Sequence, residues 1–264
     1  MTRGAPAAAL VPLLAAATGL GAQEAPRYGA WLDGARFAEE ARVAAVVGQG
    51  EGALRVELAR EGVLVLRRLG EMPGGAQRLE AWYDSLAAVR SAEGTTLAPD
   101  TDGLVGGRWR GTLGAAGGWS REAAPFIPDE LAEVHDFAAL LDDLLPPLPG
   151  RALAPGERWD DRRGTRITRL PDSLPGADPV ERYRIERSGR RVAPAGPAAD
   201  TLRVRGSEEW SERGTVAWRA GAGLLAWTRE EEVRGMVPKG GPVRVPVASV
   251  VARRTTLRRL PPGR

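Results

Sequence analysis

The sequence predicts a mainly β protein (α+β), an antiparallel meander or half-barrel in two related halves with one amphipathic helix at about 128–145 between them. Three observations carry this. Short runs of alternating apolar and polar residues recur between Gly- and Pro-containing turns, as in antiparallel sheets. One stretch alone has clear helical spacing, and two tryptophan hairpins share turn, spacing and tail.

The elements follow in order. Residues 1–22 place one charge, Arg3, before an uncharged, Ala-rich stretch ending in small residues, and the first acid is Glu24. That is the pattern of a secretory signal peptide cleaved after Ala22, too short and too rich in Ala and Gly to span a bilayer. From Ala53 the pattern is β-like. Leu54, Val56 and Leu58 alternate with polar residues, and Glu61-Gly62 reads as a turn into Val63–Leu66. In Leu79–Arg90, Leu79, Trp82, Tyr83 and Leu86 fit helical spacing, but the aromatics and the neighbouring strands favour a strand. Trp109 then leads through a Gly/Ala turn to Trp119.

The helix is expected next. Pro128 suits a first turn, Asp129, Glu130 and Glu133 complement its positive end, and Leu131, Val134, Ala138, Leu141 and Leu145 form a stripe ended by Pro146-Pro147. Beyond it, strands are expected at Thr165–Leu170, Glu181–Arg187, Thr201–Glu212, Thr215–Arg219, Leu224–Arg234 and Val243–Leu260, with turns including Ser188-Gly189. The organisation is therefore a signal peptide (1–22), an N-terminal β half (23–127), a helix and Pro-rich connector (128–149) and a C-terminal β meander (150–264). The halves are read as related because the two tryptophan hairpins, Trp109–Trp119 and Trp218–Trp227, both end Trp-Ser/Thr-Arg-Glu.

Composition narrows the chemistry. The chain has no cysteine, so no disulfide, thiol nucleophile, thiolate metal site or lipid-modified cysteine. Lys239 is the one lysine among 37 basic residues, set against 34 acidic ones. The high pI reflects the arginines, which do not titrate in the ordinary range. Arginines alternate with acids along the whole length, whereas nucleic-acid binding calls for a basic stripe, so no nucleic-acid partner is expected. No later segment is long and apolar enough for a membrane span, and the expectation is a protein soluble in the periplasm or outside the cell.

The stretch Leu145-Pro-Pro-Leu-Pro-Gly-Arg-Ala-Leu-Ala-Pro-Gly-Glu-Arg-Trp159 resembles the Leu-Pro, Pro-Val, Gly-Asp-x-Trp segment of a group of exported bacterial proteins of unknown function. The resemblance covers about residues 105–260, and Gly156-Glu157 stands where that group has Gly-Asp. It implies a fold like the open half-barrels of bacterial lipoprotein carriers, a curved sheet wrapped around helices. It brings no catalytic residues.

Each candidate site has a plainer competitor. His135, the one histidine, stands two turns from Asp142; the pair reads as a general base or half a metal site, against a surface or boundary histidine, which is favoured. Asp100-Thr-Asp102-Gly103 begins like a calcium loop, but its glycine is fourth rather than sixth, so a polar turn competes. Gly103–Gly107 lacks the lysine of a phosphate loop. Glu208-Glu209 and Glu230–Glu232 can pair across strands with arginines. The functional lead is tryptophan: Trp109, Trp119, Trp218 and Trp227 are expected to line an apolar groove, with core packing the competing reading. No cofactor and no metal are expected, and an enzyme is the least favoured class. The expected function is binding or carriage of a lipid, another apolar ligand or a protein segment in the cell envelope. The alternative is a module docking another envelope protein.

Overall fold

A computed structural model describes residues 24–128, 131, 137–142, 144–161, 164–171, 180–192, 207–239 and 245–261. The signal segment and His135 lie outside them.

Among the described residues twelve antiparallel strands form one open sheet. They are β1 (Arg36–Val47), β2 (Leu54–Glu71), β3 (Gln77–Ala92), β4 (Thr95–Leu97), β5 (Trp109–Leu113), β6 (Trp119–Ala123), β7 (Arg158–Asp160), β8 (Arg166–Leu170), β9 (Glu181–Val192), β10 (Ser207–Arg219), β11 (Gly223–Lys239) and β12 (Val245–Arg259). Their order is β6-β5-β3-β2-β1-β12-β11-β10-β9-β8-β7, with β4 beside β3. The first strand pairs with the last, so the order is a cyclic meander interrupted between β6 and β7. Strands β1–β6 fill one side of the β1–β12 seam and β7–β12 the other.

Several strands run longer than the sequence predicts. Gly62 is not a turn but the middle of β2, opposite Leu86 on β3. A Cβ on Gly62 would come within 2.9 Å of the Tyr83 ring, so the glycine leaves room for an aromatic lying across the strand. Gly214 does the same for Trp227, whose ring would be 2.3 Å from a Cβ there, and β10 passes through it unbroken. Ser188-Gly189 also lies within a strand. The stretch Leu79–Arg90 is strand, inside β3, and both tryptophan hairpins form, as β5–β6 and β10–β11. They hold different places: β5–β6 is at a sheet edge, β10–β11 one strand from the seam.

The expected helix is a correction. Leu131 is helical, residues 129–130 and 132–136 lie outside the described residues, and the helix does not run on to Leu145: Phe137–Asp142 and Leu144 are irregular or in turns, closed by bonds from the Leu140, Asp142 and Leu144 amides to carbonyls three residues back. The described part of the apolar stripe is buried. Leu131, Phe137, Leu140, Leu141, Leu144 and Leu148 all pack into the core. The sheet draws off the backbone partners a helix would use: Trp109 Nε1 donates to the Phe137 carbonyl at 3.0 Å.

The sheet curls around this connector. Tyr28 accepts no compromise on distance: its amide bonds the Ala115 carbonyl after β5 at 2.9 Å, and its ring stands 6.3 Å from that of Trp218 on β10. In a flat sheet β5 and β10 would be about 29 Å apart, six strand spacings.

A curled sheet with a charged inner wall

Alternation puts Phe37, Glu39, Ala41, Val43 and Ala45 of β1 on the face that meets the connector, and the register extends each into a row across the sheet. The Phe37 row is apolar and forms the core with Leu64 and Tyr83. The rows beyond it carry charge. Glu39 is buried and accepts from Arg60 Nη2 and from the Tyr83 hydroxyl. Burial works against the Arg60 charge, but Glu39 and Tyr83 outweigh it and hold the guanidinium above its ordinary value. Burial, then Glu39, pushes the Tyr83 phenol well up.

On the other side of the seam lies an ion ladder. Arg187 grips Glu212 twice, at 3.0 and 2.6 Å. Arg229 Nε lies 2.9 Å from Glu212, and its Nη2 donates to Glu231 at 2.9 Å. Arg253 Nη1 completes the ladder, donating to Glu231 at 3.2 Å. Glu212, Arg229 and Glu231 are buried.

A cavity of about 870 Å³ adjoins β1–β3 and β9–β12, with Val43, Leu58, Arg187, Glu212, Glu231 and Arg253 in its wall. These six residues are one register row: Leu58 faces Val43, Val43 faces Arg253, and Arg253, Glu231, Glu212 and Arg187 follow strand by strand. A cavity of that size touches seven adjacent strands at one level because the sheet curls round it. Most of the wall comes from the flanking positions of opposite phase, among them Arg42, Glu57, Glu186, Arg213, Glu230, Glu232 and Arg254, so carboxylates as well as guanidinium groups surround Val43 and Leu58. It can hold a molecule with an apolar part and a polar, hydrogen-bonding part.

The sequence-predicted tryptophans stand elsewhere. Trp109, Trp218 and Trp227 are buried in the core, Trp119 packs against its edge, and none is in the cavity wall. Asp100 Oδ1 accepts from the Asp102 amide at 2.9 Å, the geometry of a polar turn. Asp142 lies 4.0 Å from Arg121. The acidic runs do pair with arginines, Glu209 with Arg190, Glu230 with Arg213 and Glu232 with Arg234. No group of three or more potential metal ligands occurs among the described residues. No helix among them is long and apolar enough to cross a membrane.

The residues that sequence reasoning missed are Glu39, Arg60, Arg187, Glu212 and Arg253. Their signal was present: each is a charge in the apolar phase of an alternating strand, as Glu39 is between Phe37 and Ala41.

Comparison with family models and with curated proteins gives no match. Among solved structures the chain is similar to one titled "Lipid-protein interactions in lipovitellin", with 10% identity and a TM-score of 0.42, over 87% of this chain and 25% of that one. The chain thus spans about a quarter of that structure's length.

Proposed function

We propose that the chain is an exported, non-catalytic carrier that binds a ligand with an apolar chain inside its curled sheet. The observation that carries this reading is the cavity of about 870 Å³, within the size range of small-molecule sites. Its lining combines apolar residues such as Val43, Leu58 and Val89 with mixed charges, Arg187, Glu212, Glu231 and Arg253 among them, which suits an amphiphile better than a hydrocarbon alone. The signal-like segment 1–22 supports export, and the resemblance to exported proteins with half-barrel folds points the same way.

The test is extraction of the purified protein with organic solvent, followed by mass spectrometry, and displacement of a fluorescent fatty-acid analogue. The expected result is a co-purified amphiphile, or saturable binding of the probe with a micromolar Kd, about −8 kcal/mol. Absence of both would overturn the carrier reading. It would leave the interaction module, which would use the free edges β6 and β7.

A further inference from the structure

We propose that the far end of the β11–β12 pair, Met236–Lys239 against Val245–Ala248, is a ribbon that docks the chain on an anionic lipid surface. This goes beyond the carrier reading and does not depend on the cavity.

The register isolates the ribbon. On β12, pairing with β1 ends at Ser249, and the Gly48 amide reaches the Ala248 carbonyl at 2.8 Å. On β11, pairing with β10 ends at Arg234. Beyond both limits β11 and β12 pair with each other, as far as Lys239 opposite Val245. Among the described residues no third strand joins them there. Four residues of strand project about 13 Å. A two-stranded ribbon by itself is marginally stable in water, so one of this length calls for a second environment.

Its sequence is apolar on both sides. The register places Met236 and Ala248 on one side and Val237, Val245 and Val247 on the other. The root of the ribbon has the same character. Val46 faces Val250 on one side, 37% and 39% exposed, and Val47 and Val251 are half-buried on the other. A protein partner covers one side of such a ribbon, whereas the headgroup–acyl boundary of a bilayer meets both.

Two features choose lipid over another strand. Pro238 faces Pro246, which takes a backbone donor from each strand and blunts the edges against strand addition by a second copy. From Val233 to Ala252 the sequence holds Arg234, Lys239 and Arg244 and no acid, whereas β1, β10 and the first half of β11 all carry glutamates. Basic residues beside an apolar surface are attracted to anionic headgroups. The length also fits. Apolar faces enter a membrane interface by about 5–10 Å, within the reach of the ribbon and far short of a hydrocarbon core about 30 Å thick.

The chain has no cysteine, so a single introduced one carries a label at a chosen position. Val237→Cys, the facing Val247→Cys, and Met72→Cys, exposed at the opposite end of β2, each receive a nitrobenzoxadiazole fluorophore. With phosphatidylglycerol vesicles, emission from the label at the Val237 and Val247 positions is expected to rise at least about threefold and shift to the blue, with no change at the Met72 position. Phosphatidylcholine vesicles should give less than about half that rise, and adding Lys239→Glu should bring the phosphatidylglycerol response down to the same level. No change at the ribbon positions, or an equal rise at the Met72 position, overturns the lipid surface. An equal rise with both lipids overturns its anionic character. A rise without vesicles that grows with protein concentration overturns the proposal in favour of a second copy.

Discussion

Glu39 shows how much one residue out of phase can reveal. It sits on the apolar side of β1, buried, with Arg60 and Tyr83 as its partners. An ion pair in such a place contributes little net stability, since desolvation of both charges offsets their attraction. Removing one partner is another matter. Glu39→Leu leaves the Arg60 guanidinium buried alone and is expected to cost about 3–5 kcal/mol. The double variant Glu39→Leu, Arg60→Met should recover most of that loss in chemical denaturation. Equal losses in the single and double variants would show that packing, not charge, governs the site. The same residue scale explains why the tryptophans misled. Their number marks large buried surfaces, and Trp227 lies across Gly214 on the neighbouring strand, filling core space rather than lining a groove. Nothing in the spacing of tryptophans distinguishes the two uses. The charges in apolar phase do, because an alternating strand that breaks its own pattern needs a reason.

The connector between β6 and β7 decides what the elements do together. Its apolar spacing and flanking prolines predict a helix through Leu145, yet the part from Phe137 on is irregular or in turns and is held to its neighbours by bonds from Tyr28 Oη to the Pro146 carbonyl at 2.7 Å, from the Leu148 amide to Ala116 at 2.8 Å, and from Trp109 to Phe137. Helical periodicity reports which residues seek burial. It cannot report that carbonyls within reach of a curled sheet will find partners there instead. Tyr28→Phe keeps the ring and removes the bond to Pro146, with an expected loss of about 1–3 kcal/mol if the carbonyl is left without a partner. Hydrogen exchange should locate that loss, faster at the Leu148 amide and unchanged at Leu66 in β2, whose amide bonds Ala35 at 2.9 Å. Uniform acceleration across both would tie Tyr28 to the stability of the whole sheet instead. The strands themselves were more legible. The β5–β6 and β10–β11 hairpins follow from their turns, whereas β1 passed unnoticed because its second half, Val43–Val47, is apolar at every position and shows no alternation.

At the scale of the whole molecule, the feature least visible in the sequence is the pairing of β1 with β12, which joins chain segments more than two hundred residues apart and makes one sheet of the two sets of strands. Local patterning holds no information on such a contact. The core of the sheet has a measurable consequence through the three tyrosines. Tyr28, Tyr83 and Tyr183 are all buried, in segments far apart in sequence. Burial raises each phenol above its ordinary value, helped by Glu39 at Tyr83 and by Glu181 at Tyr183. In the unfolded chain they ionise near pH 10. The folded protein therefore keeps protons that the unfolded chain gives up. The stability tied to the tyrosines is fully present below about pH 10 and falls as the pH rises further, by about 1.4 kcal/mol per pH unit for each phenol. Alkaline titration followed by phenolate absorbance should show no ionisation while near-ultraviolet circular dichroism remains native. All three phenols should then appear together as the sheet opens. Graded ionisation of one tyrosine near pH 10, with dichroism intact, would show that its part of the interior is open to water and that the curl does not seal it.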